Sequence, residues 1–208
     1  SLNILYNAYP NIDYGTYSNK YHPIKPNELK EYLNGKLTLS YTSLNNYALC
    51  PFKFYVKHIL KLEPFEETFP ILIGNLFHNT LSHIYDEDFN LEEEYYGYLK
   101  DKPLSPKESF YVDKLYDILK QDIEVIRWQE IHSLYNKHLT EKPVQIDKSK
   151  DIQIKFTGII DKINYTEENN RIKAIIIDYK TGSISSNLDN INYGLNMQLP
   201  TYIYLVQK

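Results

Sequence analysis

From Val144 onward the spacing of apolar residues changes, and that change constrains the fold more than any other feature of the chain. Upstream, apolar side chains recur every three or four positions, the period of an amphipathic helix. Downstream, Ile152, Ile154 and Phe156 alternate with polar residues and lead into GIIDKINY, the period of a half-buried strand. TEENN reads as a polar turn and RIKAIIIDYKTG as the returning strand. A loop, GSISSNLDN, then leads to a last helix over YGLNMQLPTYIYLV. Helices, then a strand pair, then a helix, with no internal repeat, predict a mixed α/β domain with a helical N-terminal part.

In the first half, residues 1–37 are rich in Tyr, Asn and Pro and show little periodicity, apart from a short helix over PNELKEYLNG. SYTSLNNYALC starts with hydroxyl side chains able to cap a helix, and Leu44, Tyr47 and Ala48 follow at helical spacing. Pro51 opens a second helix, PFKFYVKHILKL, as proline can in a first turn. ILIGNLFHNTLSHIYDE places Ile73, Leu76, Phe77, Thr80, Leu81 and Ile84 on one stripe and predicts a third helix. An acidic, Pro-containing linker is expected from about 86 to 105. A long helical stretch is expected from 106 to 139, carrying Leu115, Ile118, Leu119, Ile126, Ile131 and Leu134.

The three isoleucines at 175–177 end abruptly in Asp178, Tyr179 and Lys180. In an extended chain, side chains at i and i+2 share a face, so Asp178 and Lys180 project together where an apolar strand leaves the core. Across the hairpin, antiparallel pairing brings Asp161 of GIIDKI toward Asp178. Two partly buried carboxylates repel unless one is protonated or a cation bridges them. Hard divalent ions take such oxygen ligands, and a neighbouring lysine can orient water or offset phosphate charge. Spacing alone favours the plainer account, a solvated ion pair worth little. The apolar run before the pair argues the other way.

The bulk numbers set outer limits. A chain of 208 residues, 42% hydrophobic and 24% charged, is long enough for one substantial core. A net charge of -4 and a pI near 5.9 do not announce a nucleic-acid binder, although a metal site brings its own cations. The 21 tyrosines fit an AT-rich coding bias better than an aromatic binding surface. A single cysteine, Cys50, excludes an internal disulfide and fits a reducing compartment. No apolar run approaches the ~20 residues of a membrane span, and the N-terminus has no basic start followed by an apolar stretch. A soluble, cytoplasmic protein without membrane contact is expected. The ending, TYIYLVQK, breaks off inside an apolar periodic segment, which points to a fragment of a longer chain.

GIIDKI, IIIDYKTG and MQLPTY, in that order, resemble the RecB-type nucleases of the PD-(D/E)XK superfamily. Upstream, YTSLNNYALCPFKFY resembles the S-x-L-x-x-Y-x-x-C-P-x-x-F entry of AddB-like subunits, and IGNLFHNTLSHIY their G-x-x-x-H-x-x-L helix. The five pieces span roughly residues 38–205. The resemblance implies a restriction-endonuclease-like α/β core, a mixed central sheet flanked by helices, with 38–208 as the nuclease domain after an irregular segment over 1–37.

It also implies roles. His78, Asp161, Asp178 and the peptide carbonyl of Tyr179 would ligate Mg²⁺ or Mn²⁺; Lys180 would be the catalytic lysine, with Gln198 and Tyr202 beside the site. Glu141 matches a glutamate ahead of the first core strand, and His83 matches nothing. The activity implied is DNA phosphodiester hydrolysis, as an exonuclease rather than an endonuclease, by the nuclease module of an AddB-like helicase–nuclease subunit. Its setting would be break repair and recombination with a helicase or helicase–nuclease partner subunit. CRISPR-associated RecB-like exonucleases are a neighbouring alternative.

Two departures stand out. Cys50 occupies the first ligand position of the relatives' 4Fe–4S cluster, but the other three cysteines are absent, so either the remaining ligands lie in a longer chain or the cluster is lost and Cys50 is a small core residue. Lys162 stands where an arginine often follows the GIID aspartate. The low pI and the missing cysteines support a rival reading, a catalytically inactive nuclease fold that binds DNA or scaffolds a recombination complex. Mn²⁺ binding that depends on Asp161 and Asp178 separates the two.

Overall fold

The computed structural model describes residues 23–207, apart from 63, 65, 150–151 and 183–188. Most of the irregular segment expected over 1–37, and most of the loop before the last helix, lie outside the described residues. The chain divides after Gly35 into two units. In the first, the short helix expected over PNELKEYLNG is present as α1 (Pro26–Tyr32), with Pro26 in its first turn and Lys25 bonded to Glu28 at 3.0 Å.

The second unit opens with β1 (Lys36–Leu39), a strand too short to show a period. Ser40 then caps α2 (Tyr41–Leu49) through a reciprocal pair of bonds with Ser43. Pro51 starts α3 (Pro51–Phe54), which widens into a π-turn at Tyr55–Ile59. The apolar stripe foreseen over 71–87 forms α4 (Phe69–Ser82), which buries Leu72, Ile73, Leu76, Phe77, Thr80 and Leu81.

Two expectations fail here. The segment 86–105 is not merely a linker, because it contains α5 (Leu91–Leu99). Asn90 caps that helix, Glu92, Glu93 and Glu94 favour its positive N-terminal end, and Tyr95 and Leu99, one turn apart, are buried. The long helix α6 (Pro106–Ile131), capped by Ser105 and Glu108, stops eight residues before the expected end. Leu134 belongs to no helix and is 87% exposed.

The sheet therefore starts earlier than the change of period suggests. β2 (Lys137–Ser149) pairs antiparallel with β3 (Gln153–Glu168), which pairs antiparallel with β4 (Arg171–Ile177). β1 joins β3 in parallel through Lys36–Leu39 against Gln153–Phe156. The result is a mixed four-stranded sheet in which β3 is central, β2 runs along one side, and β1 and β4 share the other. Pro143 is tolerated inside β2 because that strand lies at the edge, where a missing N–H breaks no ladder. β4 is also an edge strand and is less buried than three successive isoleucines suggest: Ile175 is 43% exposed. Asn169 and Asn170, at φ 51° and 59°, close the β3–β4 hairpin as a two-residue turn that needs left-handed backbone at both positions.

A short 3₁₀ turn (Asp189–Tyr193) precedes α7 (Gln198–Val206), which begins later than the sequence suggests. Pro200 does not interrupt α7, because it sits in the first turn, where its missing N–H costs no helical bond. One core packs α4, α5 and α6 around Leu76, Tyr95 and Leu119. A second packs α7 on the sheet through Ile160, Ile163, Tyr202 and Leu205. Gly158 permits that approach, since a Cβ there would lie 2.8 Å from the Tyr202 ring. Lys162 is 2% exposed and is paired in the interior with Glu130 of α6 and the hydroxyl of Tyr85. The ring of Tyr85 stacks on His138 at 3.7 Å between centroids.

Candidate active site

The pairing register sets three carboxylates in one transverse row. Lys162 pairs with Ile177, so Asp161 and Asp178 occupy the next position, just past the end of the β3–β4 ladder. Thr140 pairs with Lys162 and Lys142 with Ile160, which sets Glu141 opposite Asp161 on the other side. Glu141, Asp161 and Asp178 thus come from adjacent strands about 5 Å apart. Asp161 lies in the middle of the central strand rather than at a sheet edge. Glu141 lies inside β2, not ahead of the first core strand, and at φ 45° it breaks the local pairing. A left-handed conformation costs a glutamate about 1–2 kcal/mol and re-aims its side chain.

His78 completes the cluster from α4. It stands on the flank of the buried stripe, and its Nδ1 lies 3.2 Å from Asp161 Oδ1. The imidazole, Glu141 and Asp161 each offer a ligand atom within 4.8 Å of the others, a donor set of one nitrogen and carboxylate oxygens that could hold a metal ion. The other oxygen of Asp161 accepts the backbone N–H of Tyr179 at 2.7 Å, which ties the segment after β4 to β3.

Asp178 and Lys180 do project together, with Lys180 Nζ 2.5 Å from Asp178 Oδ2. The remaining oxygen of Asp178 accepts a bond of 2.6 Å from the carboxamide of Gln198, the first residue of α7. Gln198 also donates to the Tyr202 hydroxyl at 3.3 Å, one helical turn on. The structure therefore brings together His78, Asp161, Asp178, Tyr179, Lys180, Gln198 and Tyr202, and adds Glu141 as a full neighbour. Cys50 does not join them: it is exposed at the junction of α2 and α3, where its sulfur accepts the Lys53 N–H. One thiolate cannot hold a four-thiolate cluster, so the chain's own residues do not fit that group.

The electrostatics are those of a crowded acidic centre. Burial pushes the Asp178 carboxyl above its ordinary range, against the pull of Lys180. Burial also raises the Glu141 carboxyl, and the charge of Asp161 adds to the effect. The hydrogen bond to Asp161 holds the His78 imidazole above its usual value despite desolvation. Each group thus favours a proton where a cation would do the same work.

Family membership agrees with this arrangement. The family profile described as PD-(D/E)XK nuclease superfamily matches residues 38–208, and the chain belongs to that superfamily. It is 30% identical, over 86% of its length, to an ATP-dependent helicase/deoxyribonuclease subunit of Carboxydothermus hydrogenoformans. The equivalent subunits of Clostridium novyi and Moorella thermoacetica, which carry the same name, are 26% and 23% identical over 90% and 92% of the chain. The chain spans about a fifth of the length of these relatives, 19% of the first. Among the described residues, no helix is long and apolar enough to cross a membrane.

Proposed function

We propose that the chain is a divalent-cation-dependent deoxyribonuclease module, acting as an exonuclease within a helicase–nuclease assembly that processes broken DNA. The observation that carries this reading is the meeting of His78, Glu141 and Asp161 within 4.8 Å, beside an Asp178–Lys180 pair. Asp161, Asp178 and His78, with the carbonyl of Tyr179, hold Mg²⁺ or Mn²⁺, and Glu141 joins them from β2. When bound, such an ion polarises the phosphate and lowers the pKa of coordinated water. Lys180, paired with Asp178, stabilises negative charge developing on the phosphate or orients the attacking water. Gln198 fixes the carboxylate of Asp178, and the Tyr202 hydroxyl fixes Gln198. The relatives' name, ATP-dependent helicase/deoxyribonuclease subunit, supports DNA as the substrate and a helicase–nuclease assembly as the setting.

The test pairs two measurements on the purified chain. Single- and double-stranded oligonucleotides are incubated with Mn²⁺ for the native sequence and for Lys180→Ala, which is expected to slow cleavage by about 10²–10³. Calorimetric Mn²⁺ titration of the native chain, Asp161→Asn and Asp178→Asn follows the ion itself. Intact DNA in every reaction, with no Mn²⁺ heat that depends on the two aspartates, would replace this reading by that of a DNA-binding or scaffolding module.

A further inference from the structure

His78 forms a shared wall between two recesses. On one side an apolar groove between α4 and α6 reaches Tyr179, Lys180 and Thr181. On the other lies an open polar recess of about 630 Å³, bounded by α4, by Tyr98 of α5 and by Thr140 and Glu141 of β2. That volume falls within the ~300–1,000 Å³ of small-molecule sites. The proposed hydrolysis uses none of its outer wall.

The recess is built from the polar face of α4. Asn75, His78, Asn79 and Ser82 recur at i, i+3, i+4 and i+7, which puts them on one side of the helix. Its rim is braced. Asn75 donates to Glu67 Oε1 at 3.4 Å, Glu67 Oε2 accepts Lys102 Nζ at 2.7 Å, and that ammonium lies 5.8 Å over the Tyr98 ring. His83 is engaged too, by the backbone oxygen of Asn79 at 2.8 Å and by Glu94 at 3.8 Å. In contrast, the carboxamide of Asn79 and the carboxylate of Asp86 line the recess with no side-chain hydrogen bond among the described residues.

Charge selects the occupant. Asp86 lines the recess, the nearby ammonium of Lys102 is paired with Glu67, and Glu141 belongs to the proposed metal site. A phosphate would be repelled; a neutral group rich in hydrogen-bond donors would not. A strand whose scissile phosphate sits at the His78–Glu141–Asp161 cluster carries a nucleoside on each side of it, and the recess shares His78 and Glu141 with that cluster. We propose that the recess binds the base and sugar of the nucleotide flanking the scissile phosphate, in unpaired form, packed against Tyr98. A carboxylate only accepts hydrogen bonds, so Asp86 favours bases with an exocyclic amine over thymine. This inference rests on the nuclease reading for where the phosphate lies.

The test measures binding of short oligo-dC, oligo-dT and a blunt duplex by fluorescence anisotropy in Ca²⁺, alongside Mn²⁺-dependent cleavage of the same strands. The native chain is expected to bind oligo-dC about fivefold more tightly than oligo-dT, the worth of one hydrogen bond. Asp86→Asn, whose amide also donates, should erase that preference, and Asn79→Ala should reduce it. Tyr98→Ala should weaken both single strands about tenfold and leave the duplex unchanged. Calorimetric Mn²⁺ affinity should stay the same in all three variants. Equal binding of the two oligomers by the native chain, or equal losses for duplex and single strand, overturns the proposal. Cleavage without base preference leaves the nuclease and removes the recess; preference without cleavage does the reverse.

Discussion

Replacing Gly158 with alanine links the packing of α7 to the chemistry of the carboxylate row. A Cβ at 158 would lie 2.8 Å from Cε1 and 3.4 Å from Cδ1 of Tyr202, and 3.6 Å from Cδ1 of Leu205. Carbon atoms rest at about 3.5–4.0 Å, so the tyrosine ring must retreat by roughly 0.7–1.2 Å. Overpacking of this kind costs about 1–3 kcal/mol. The Tyr202 ring borders an open groove along β2 and β3, which gives it somewhere to go and places the expected cost at about 1–2 kcal/mol. The retreat does not stop at the ring, because the Tyr202 hydroxyl accepts from Gln198, and Gln198 donates to Asp178. A misplacement of about 1 Å at the reacting groups costs about 10² in rate. Urea unfolding and steady-state cleavage in Mn²⁺ read the two effects. Adding Tyr202→Leu to the alanine variant should restore much of the stability, by removing the clash, but not the rate, because the hydroxyl is gone. A Gly158→Ala protein with an unchanged urea midpoint and an unchanged kcat would refute the reasoning.

Protonation offers another check, since the His78, Glu141 and Asp178 groups are all shifted upward. A raised histidine stabilises the fold below its ordinary value and loses that contribution as pH rises through the folded value. A raised carboxyl holds its proton longer in the folded state, so stability is likewise lost as pH rises above its ordinary range. The contribution of these groups to thermal melts in chelator should therefore fall as pH rises from the ordinary carboxyl range through the ordinary histidine value, with flatter slopes in Glu141→Gln and Asp178→Asn, while Mn²⁺ affinity rises over the same window. Glu130→Ala should cost about 3 kcal/mol or more in urea, because the buried Lys162 loses its carboxylate partner. The double change Glu130→Leu with Lys162→Met should be far milder, and an additive loss would count against the pairing. Gln198→Ala should lower Mn²⁺ affinity or cleavage about 10–100-fold with little change in unfolding. An unaltered titration and rate would remove Gln198 from the site.

The parts of the fold legible in the sequence are those whose burial follows one local period. The stripe of α4 and the β3–β4 hairpin are such parts, and the hairpin alone brings Asp161 toward Asp178. β1 carries four residues and no usable pattern, so only its parallel pairing with β3 reveals it. β2 is masked by Pro143 and by the charges of an edge strand, and 137–139 look like the tail of a helix. α5 is hidden by three glutamates that read as linker, although Asn90, Tyr95 and Leu99 mark its cap and its buried face. In the site, Glu141 shows why cross-strand neighbours elude a linear reading. Its position opposite Asp161 comes from a register set elsewhere, and its left-handed backbone has no signature in a non-glycine residue. Gln198 and Tyr202 are legible as one helix face, but nothing local says that the face meets Asp178.

The Asn169–Asn170 turn has a reach beyond its own two residues. Asp161 lies eight residues back along β3, about 25 Å away at the rise of an extended strand. Yet that turn decides which residue of the returning strand faces which. A single residue gained or lost there would slide β4 by one position, turn every side chain to the opposite face and carry Asp178 out of line with Asp161. The hairpin tip thus acts as a ruler for the carboxylate row. Insertions that a distant surface turn would normally absorb without harm should here silence the site.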